Sequence, residues 1–511
     1  MSLRAFRAGI IWIHLICASA AQQSVLPNDQ GFQYMGRMSF VDPLNPIFSM
    51  SASGFRVNFE GSTLAGRFST EGGDSYLYVI IDGKADPENR IIVKVDDLNE
   101  DSYVLAKHLN NGPHTLEVLK LNESHTKVTF HGIVLDNGRI LPPSQRPNLQ
   151  LEFVGDSNTA GWSAWDAYDR GSDEYSGAYY TYPGITAKLL NAEYSLIGGS
   201  SSGVTQKAPW NLYNAYERIH LKEADSEQNE WSFKSNYWGF QPEAVVVNLG
   251  ANDYYGQASK TEIMKGWSDL VEHKIRKYYP NAHIVFVNSY GWAFNEPADY
   301  VAEMVALFNA KGDTNISYVL FPWLWGQAHA VVNEHAGFAN ILAAHLSEQL
   351  NLSQPEPSNL SSFTGVGELY NGGFEQSTIN GVADGWRPHK TAVLIADESY
   401  AFEGMHLMRL SDGGWLNFPA LVKKGMIIKL SGQVRSETKS QHGYFKILFK
   451  DQAQNTIQSK QINFETNLKW SKKELRTEVP DNVWSAWVVL QAGDDSTIDV
   501  DAVELKVIKQ P

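Results

Sequence analysis

The stretch LQLEFVGDSNTAGW (residues 149–162) decides the fold class, because an apolar run ends in Gly-Asp-Ser and small polar residues follow at once. The apolar run predicts a buried strand of an α/β sheet, and such strands end at the edge where ligands bind. Gly155 permits a sharp turn that presents the next side chains to solvent. Ser157 is therefore a candidate nucleophile. Its alternative role is to cap the helix that follows.

Strands and helices alternate after this stretch. The strand AVVVNLG (residues 244–250) precedes the helical pattern SKTEIMKGWSDLVEHKIRKYYP, in which Ser259 and Glu262 match a capping box. Two further strands, HIVFVNS and ISYVLF, alternate with the helical patterns PADYVAEMVALFNAKG and GFANILAAHLSEQL. This alternation predicts an α/β domain over residues 143–350, with a parallel sheet covered by helices on both faces.

Residues 21–142 have a different pattern of apolar and polar residues. Short runs of β type such as FRVNFEG, SYLYVIIDG and VTFHGIVLD are separated by turn residues. Several short strands with this spacing predict an N-terminal β-sandwich of the jelly-roll kind. The polar stretch NGRILPPSQRPN then indicates a domain boundary.

The stretch NLSQPEPSNLSS is rich in Pro and Ser and predicts a linker over residues 351–364. Beyond it the β-type runs return, among them MHLMRLS, MIIKLSGQVRS and TIDVDAVELKVI. Residues 365–511 are therefore predicted to form a second β-sandwich.

The length of 511 residues agrees with about three domains. The formal net charge is -15 and the basic residues are dispersed, so a nucleic-acid or polyphosphate partner is not expected. The chain has one cysteine, Cys17, which lies in the amino-terminal segment. The remainder of the chain can therefore form no disulfide, thiol nucleophile or thiolate metal site.

Residues 1–20 have the layout of a secretory signal peptide. Arg4 and Arg7 precede the apolar run GIIWIHLICASA, which ends in small residues. The run is shorter than the roughly 20 residues needed to span a bilayer, so a membrane anchor is not expected. The sequence thus predicts a secreted protein, either extracellular or periplasmic.

The α/β segment carries the residue types that ester hydrolysis by a serine requires. These are a nucleophile, a base, a group that orients the base, and donors for the oxyanion. Ser157 follows the first strand, and Asn252 in NLGANDYY follows the strand that ends at Gly250. The stretch WGQAHAVVNEHAGF places His329 and His335 after the last strand.

In this order the motifs resemble those of the SGNH (GDSL-type) hydrolases, which share a flavodoxin-like sheet. The β-sandwich ahead of the Gly-Asp-Ser block carries the phrases MGRMSF, VIIDG, GPHTLEVLKLNES and FHGIVLDNGRIL, and it is similar to carbohydrate esterase family 2. The resemblance covers roughly residues 30–350. It implies a secreted deacetylase of plant polysaccharides such as xylan or mannan.

The resemblance also implies roles for individual residues. Ser157 would be the nucleophile and His329 its base. The backbone N–H of Ser157 and the side chain of Asn252 would bind the oxyanion, and a further donor would come from Gly199 or, in another register, from Ser201. No metal or other cofactor is required for this chemistry.

One departure from the family pattern concerns the acid. Where such enzymes often carry an aspartate two residues before the histidine, this chain has Gln327, which cannot stabilise an imidazolium by charge. A Ser-His dyad with Gln327 or a backbone carbonyl orienting the ring is then one expectation, and a triad completed by another acid is the other. Glu334 is a weaker substitute, and His335 is the alternative base.

Trp162, Trp323 and Trp325 lie near these motifs and could stack on a sugar ring or pack in the core. The C-terminal segment opens with YNGGFEQSTINGVADGWRPH and resembles carbohydrate-binding modules of the galactose-binding-like type. That resemblance implies a structural calcium held by Glu375 and Asp501, whose oxygen ligands suit this ion.

The expected function is that of a secreted serine esterase that removes O-acetyl groups from a plant or algal polysaccharide or oligosaccharide. A carbohydrate-binding protein with an inactive α/β domain is one alternative, because Gln327 replaces the acid. An SGNH lipase or thioesterase is the other. The sequence leaves open the polymer, the acyl group and the oligomeric state.

Overall fold

The structure, a computed structural model, describes residues 22–85, 87, 89–231, 239–288, 297–322, 329–389, 391–451 and 454–510. The predicted signal peptide lies outside these ranges. Among the described residues, none of the helices has the length and hydropathy needed to cross a membrane.

The N-terminal part is built from antiparallel strands. They are β1 (Gln22–Val25), β2 (Phe32–Met35), β3 (Met38–Ser39), β4 (Ile47–Phe48), β5 (Gly54–Glu60), β6 (Leu64–Glu71), β7 (Ser75–Ile81), β8 (Ile91–Val95), β9 (Asp101–Ala106), β10 (Pro113–Lys120), β11 (Lys127–Asp136) and β12 (Arg139–Leu141).

These strands form two sheets that pack face to face. One sheet has the order β3-β4-β11-β6-β9 with β1 beside β11, and the other has the order β12-β5-β10-β7-β8 with β2 beside β5. Strand β6 alternates buried and less buried residues, as expected when one face of a sheet covers a core. An aromatic cluster of Phe32, Phe55, Phe68 and Phe130 lies between the sheets. The predicted N-terminal sandwich is confirmed.

The central part contains five parallel strands and a small two-stranded sheet. The strands are β13 (Leu149–Gly155), β14 (Ala192–Gly198), β15 (Ser202–Gly203), β16 (Trp210–Asn211), β17 (Ala244–Asn248), β18 (His283–Val287) and β19 (Ile316–Val319). The α-helices are α1 (Ser157–Ala160), α2 (Tyr182–Leu189), α3 (Leu212–Ala215), α4 (Ala251–Tyr255), α5 (Lys260–Leu270), α6 (Arg276–Tyr278), α7 (Pro297–Ala310) and α8 (Val332–Gln349). Short 3-10 helices cover Asp173–Tyr175, Ala178–Tyr180 and Glu227–Asn229, and a π-helical turn covers Val271–Ile275.

The main sheet has the strand order β14-β13-β17-β18-β19, with every neighbouring pair parallel. Numbered within the domain this order is 2-1-3-4-5, the flavodoxin-like arrangement. The five residues of β17 are all buried, because helices cover both faces. Val245 and Val247 face a core shared with α5 and α7, whereas Ala244 and Val246 face a core shared with α2 and α8. The predicted α/β class is confirmed.

The C-terminal part is a second sandwich of antiparallel strands. The strands are β20 (Arg387–His389), β21 (Val393–Ala396), β22 (His406–Ser411), β23 (Trp415–Leu421), β24 (Ile427–Arg435), β25 (Gln441–Lys450), β26 (Thr456–Thr466), β27 (Ser471–Glu478), β28 (Ser485–Ala492) and β29 (Thr497–Lys509). One sheet has the order β20-β23-β28-β25-β26 and the other has the order β21-β22-β29-β24-β27.

The segment between the central domain and the C-terminal sandwich packs on α8. The Phe363 ring lies 5.1 Å from that of Phe338, centre to centre, at 82°. The Asn333 side chain donates to the Leu360 carbonyl at 2.9 Å, and the Ser362 N–H donates to the Asn333 carbonyl at 3.2 Å. The stretch predicted as a linker is therefore packed against the central domain.

A buried ion pair joins the N-terminal sandwich to the central domain. Arg37, which lies between β2 and β3, places its Nη2 3.0 Å from Oε2 of Glu152 in β13, and both side chains are fully buried. The Arg37 Nη1 donates to the Tyr216 carbonyl, and the Tyr216 hydroxyl donates to Glu152 Oε1. Each charged group thus has partners that replace water.

Replacement of Arg37 by Met is expected to lower the free energy of unfolding by about 3–5 kcal/mol, because the Glu152 carboxylate stays buried without its cation. Urea denaturation followed by tryptophan fluorescence measures this loss. The matched control is Arg139→Met, whose pair with Glu60 is 70% and 45% exposed. The control is expected to cost less than about 1 kcal/mol. Equal losses in the two variants would contradict the role given to the buried pair.

Candidate active site

Three neighbouring strands bring the predicted residues to one edge of the main sheet. In the strand register Gly155, the last residue of β13, lies between Gly198 of β14 and Asn248 of β17. The carboxyl ends of parallel strands meet there, at the point where the strand order reverses, and ligands bind at such a point. The predicted site residues that follow these strands are Ser157 after β13, Gly199 after β14 and Asn252 after β17.

The turn after β13 decides between the two roles considered for Ser157. Asp156 is the N-cap of α1, and its carboxylate accepts the Asn158 N–H at 3.0 Å. Ser157 is the first residue of that helix and does not cap it. A Cβ at Gly155 would lie 1.9 Å from Thr159 Oγ1, so only glycine fits this turn.

Ser157 and His329 are in direct contact although 172 residues separate them in the chain. The Ser157 Oγ lies 3.0 Å from His329 Nε2. On its other side the His329 Nδ1 lies 2.9 Å from Oδ1 and 3.1 Å from Oδ2 of Asp169. Because a carboxylate can only accept, Nδ1 carries the proton and Nε2 is free to accept the hydroxyl proton of Ser157.

Asp169 is the member of this arrangement that sequence analysis did not identify. It lies in the loop after α1, where its backbone has φ +52° and its N–H donates to the Asp166 carbonyl at 2.9 Å. The Asp166 carboxylate accepts the N–H groups of Tyr168 and Arg170 at 3.0 and 2.8 Å, which holds this turn. The loop is rich in acidic residues, and no spacing distinguishes one of them from the others.

The charge state of Asp169 suits contact with an imidazole. Partial burial acts to raise its pKa, but hydrogen bonds and attraction from His329 outweigh burial and hold the pKa below its ordinary value. The His329 N–H also donates to Asp169 Oδ2 at 3.2 Å. Asp169 therefore contacts both the ring and the backbone of His329 as a carboxylate.

The other candidates for the acid and the base lie elsewhere. Gln327, predicted to orient the base, lies outside the described residues. Glu334 accepts the Val331 N–H at 2.9 Å and forms an ion pair with Arg387, so its carboxylate does not serve the His329 ring. His335 is buried in α8, and burial lowers its pKa to about 3. Ser157 therefore contacts His329, which the sequence analysis preferred over His335 as the base.

The donors predicted for the oxyanion lie on both sides of Ser157. The Asn252 Nδ2 donates one hydrogen to the Ser202 carbonyl at 2.9 Å, and an amide nitrogen carries two. The described hydrogen bonds assign a partner to one of the two hydrogens, and the oxyanion role of Asn252 stays a prediction. The described hydrogen bonds do not choose between Gly199 and Ser201, and Ser201 has φ +66°.

Two buried carboxyl groups lie beside this edge. Burial raises the pKa of Asp156 to about 7, so part of this carboxyl is protonated near neutral pH and adds less negative charge beside Ser157. Burial also raises the pKa of Glu123, which belongs to the N-terminal sandwich. The Glu123 carboxylate accepts from the Ser200 N–H and hydroxyl, both at 2.8 Å, and so supports the loop after β14.

Of the three tryptophans considered for stacking on a sugar ring, only Trp162 lies within the described residues. Trp162 is partly buried, and its ring packs on the backbone of Gly171, where a Cβ would lie 2.4 Å from Trp162 Cζ2. This contact places Trp162 against the loop that carries Asp169. Trp323 and Trp325 lie outside the described residues.

In the C-terminal sandwich, Glu375 and Asp501 both bind the same loop. The Glu375 carboxylate accepts the N–H groups of Met405 and His406, and the Asp501 carboxylate accepts those of Phe402 and Glu403. The described ranges contain no group of three or more His, Cys, Asp or Glu residues that could hold a metal ion. Both carboxylates thus accept N–H groups of one loop, residues 402–406, and the calcium site stays a prediction.

Two family models match consecutive parts of the chain. Residues 34–144 match the carbohydrate esterase 2 N-terminal model, and residues 153–350 match the GDSL-like lipase/acylhydrolase family. The resemblance stated from the sequence motifs is therefore confirmed for both domains, in the predicted order. Both models describe domains of carboxylic ester hydrolases.

Individual relatives agree with these matches. The chain is 28% identical over 348 residues to the cellulase/esterase CelE of Acetivibrio thermocellus, a match that covers 65% of this chain and 41% of that protein. It is 26% identical over 248 residues to an acetylxylan esterase/glucomannan deacetylase of Cellvibrio japonicus, covering 46% of this chain and 64% of that protein. The matches thus span less than two thirds of the length of these curated relatives.

A solved structure of a family 2 carbohydrate esterase from Clostridium thermocellum, in complex with cellohexaose, is similar in fold. It is 26% identical to this chain, covers 63% of this chain and 99% of its own, and superposes with a TM-score of 0.56. An acetyl xylan esterase from the rumen bacterium Butyrivibrio proteoclasticus, 22% identical, covers 65% of this chain and 99% of its own with a TM-score of 0.57. The matches to these structures leave about a third of this chain uncovered.

Proposed function

We propose that this chain is a secreted serine esterase that removes O-acetyl groups from a polysaccharide or oligosaccharide of the xylan or mannan kind. The observation that carries the proposal is the contact series from Ser157 Oγ to His329 Nε2 at 3.0 Å and from His329 Nδ1 to Asp169 at 2.9 Å. This is the geometry of a nucleophile, a base and an orienting acid. The acid in the proposal is Asp169, which makes a triad in place of the dyad considered with Gln327.

The first half of the reaction forms an acetyl-enzyme. His329 Nε2 takes the Ser157 hydroxyl proton while Ser157 Oγ attacks the carbonyl carbon of the acetyl ester. The carbonyl oxygen becomes negative and accepts hydrogen bonds from the Ser157 N–H and the Asn252 amide. The C–O bond to the sugar then breaks, and the sugar oxygen takes the proton from His329.

The second half releases acetate. His329 takes a proton from water, and the hydroxide oxygen attacks the acetyl carbonyl carbon. The same donors stabilise the second oxyanion. The bond to Ser157 Oγ breaks, Ser157 recovers its proton from His329, and acetate leaves. Asp169 remains ionised throughout and stabilises the imidazolium that forms in each half.

The relatives support the substrate class. One is an acetylxylan esterase/glucomannan deacetylase, and the solved relative was crystallised with cellohexaose, a β-linked glucan chain. A formal charge of -15 also favours a neutral glycan over an anionic one. The C-terminal sandwich is proposed to bind the same polymer.

The test measures acetate release from acetylated xylan and acetylated glucomannan, together with hydrolysis of 4-nitrophenyl acetate, butyrate and octanoate. Release of acetate from a polymer and a preference for the acetyl ester would support the proposal. A preference for the octanoate ester without polymer deacetylation would replace it with a lipase or thioesterase. Binding to a polymer without hydrolysis of any ester would replace it with a carbohydrate-binding protein.

A further inference from the structure

A side chain of the C-terminal sandwich reaches into the candidate active site. Arg387 is the first residue of β20, and its side chain is 1% exposed. Its Nη1 donates to the Ala167 carbonyl at 3.0 Å, and its Nη2 donates to the His329 carbonyl at 2.6 Å. Its Nη2 also lies 3.0 Å from Glu334 Oε2, and its Nε lies 3.3 Å from Glu334 Oε1.

These acceptors belong to the segments that carry the proposed base and acid. His329 is the base itself, and Ala167 lies two residues before Asp169. The His329 N–H is held by Asp169 at 3.2 Å, and the His329 carbonyl is held by Arg387. Charged groups thus hold the His329 backbone on both sides of its Cα, and the ring direction follows from that backbone.

Arginine suits this position for a physical reason. The guanidinium is planar and presents five N–H donors in a rigid fork, so one side chain can serve several acceptors that lie in different directions. The Glu334 carboxylate balances the buried charge, and Glu334 is also fixed by the Val331 N–H at the start of α8. Arg387 therefore joins β20, the Asp169 loop and the start of α8 at one point.

Both family matches end before this residue. The carbohydrate esterase 2 N-terminal match stops at residue 144, and the GDSL-like match stops at residue 350. A group that holds the His329 and Asp169 segments thus comes from a sandwich that these matches leave out.

We propose that Arg387 is a positioning residue for His329, so that the C-terminal sandwich completes the geometry of the active site in addition to binding polymer. The proposal rests on the proposed function, because Arg387 acts through His329. It makes deacetylation of even a small ester dependent on a residue of the C-terminal sandwich.

The test compares Arg387→Met with the wild-type protein on 4-nitrophenyl acetate, which is too small to need a glycan-binding surface. We expect kcat to fall about 100-fold with little change in KM, because a small displacement of a catalytic group has this effect. The matched control is Arg409→Met in the other sheet of the sandwich, where Arg409 Nε lies 2.8 Å from Asp499 Oδ1. The control should keep the wild-type kcat. Unchanged kcat in folded Arg387→Met, or an equal fall in the control, would overturn the proposal.

The double variant Arg387→Met with Glu334→Gln separates positioning from simple charge balance. Neutralising Glu334 removes the cost of a buried unpaired carboxylate, and Gln can still accept the Val331 N–H. We expect the unfolding temperature to recover toward the wild-type value while kcat stays low. Recovery of kcat together with stability would show that Arg387 only balances Glu334, and the positioning role would be wrong.

A spectroscopic readout tests positioning without relying on turnover. The His329 Nδ1 proton, hydrogen-bonded to Asp169, should give a far-downfield proton NMR signal that is absent from His329→Ala. We expect this signal to be lost or broadened in Arg387→Met and retained in Arg409→Met. An unchanged signal in Arg387→Met would overturn the proposal. If the signals behave as expected but no ester is hydrolysed, the proposed function fails and the positioning of His329 by Arg387 stands.

Discussion

Replacement of Ser157 by Ala is expected to lower kcat for acetate release roughly 10⁵- to 10⁶-fold, which is the size of effect seen when a catalytic serine is removed. The physical reason is that Ser157 Oγ is the hydroxyl in contact with His329 Nε2, at 3.0 Å. Alanine leaves the oxyanion donors and the substrate surface in place, so binding of the polymer should persist. The measurement is the initial rate of acetate release from acetylated glucomannan, with polymer binding measured in parallel.

The matched control for this prediction is Ser176→Ala. Ser176 is fully buried in the same domain, and its hydroxyl donates to the Ser172 carbonyl at 2.9 Å. The control should keep kcat within a few-fold of the wild type, since loss of one such hydrogen bond costs only about 1 kcal/mol of stability. Retention of more than a hundredth of wild-type activity by Ser157→Ala would contradict the assignment of the nucleophile.

Replacement of Asp169 by Asn is expected to lower kcat about 10³- to 10⁴-fold with little change in KM. An amide at this position removes the charge that stabilises the imidazolium, and its NH₂ group can hold His329 in the tautomer that leaves Nε2 protonated. That tautomer cannot accept the Ser157 proton. The measurement is the steady-state rate on 4-nitrophenyl acetate at pH 7, with the fold checked by circular dichroism.

Asp173→Asn is the control for Asp169→Asn, because Asp173 also follows α1 and also pairs with a histidine, His125. The Asp173 Oδ2 lies 2.9 Å from Nε2 of His125, whereas the Ser157 hydroxyl pairs with His329. The control should keep nearly full activity. If Asp169→Asn also keeps nearly full activity, the site works as a Ser-His dyad and Asp169 only shapes the loop.

The sheet and the position of its edge could be predicted from the sequence because both depend on local patterns. Apolar runs such as AVVVNLG predict buried parallel strands, and a glycine followed by Asp-Ser predicts a sharp turn at the end of β13. The order of the motifs along the chain then brought Ser157 and Asn252 to neighbouring strands. His329 followed from the family resemblance, and the structure places it in contact with Ser157.

Asp169 could not be predicted because nothing local distinguishes it. It lies on an irregular loop with no period, among several other acidic residues, and its contact with His329 joins positions 160 residues apart. Its positive φ is set by the turn that Asp166 holds. The family pattern predicts the acid at position 327, two residues before the histidine, and not in this loop.

Arg387 was missed for a different reason. The Pro- and Ser-rich stretch before the C-terminal sandwich predicted a linker, and a linker gives no reason to expect a side chain of the sandwich at the active site. The structure instead packs Phe363 on Phe338 and buries Arg387 against the central domain. Contacts between domains depend on the complete fold, and a pattern within one segment does not contain them.

The measurement that tests the central claim most directly is peptide mapping after reaction with a fluorophosphonate, which phosphonylates an activated serine. The account predicts one adduct, on the peptide that contains Ser157, with strongly slowed labelling in His329→Ala and Asp169→Asn and normal labelling in Asp173→Asn. Labelling of a different residue, or no labelling of a preparation that releases acetate, would contradict the assignment of Ser157, His329 and Asp169.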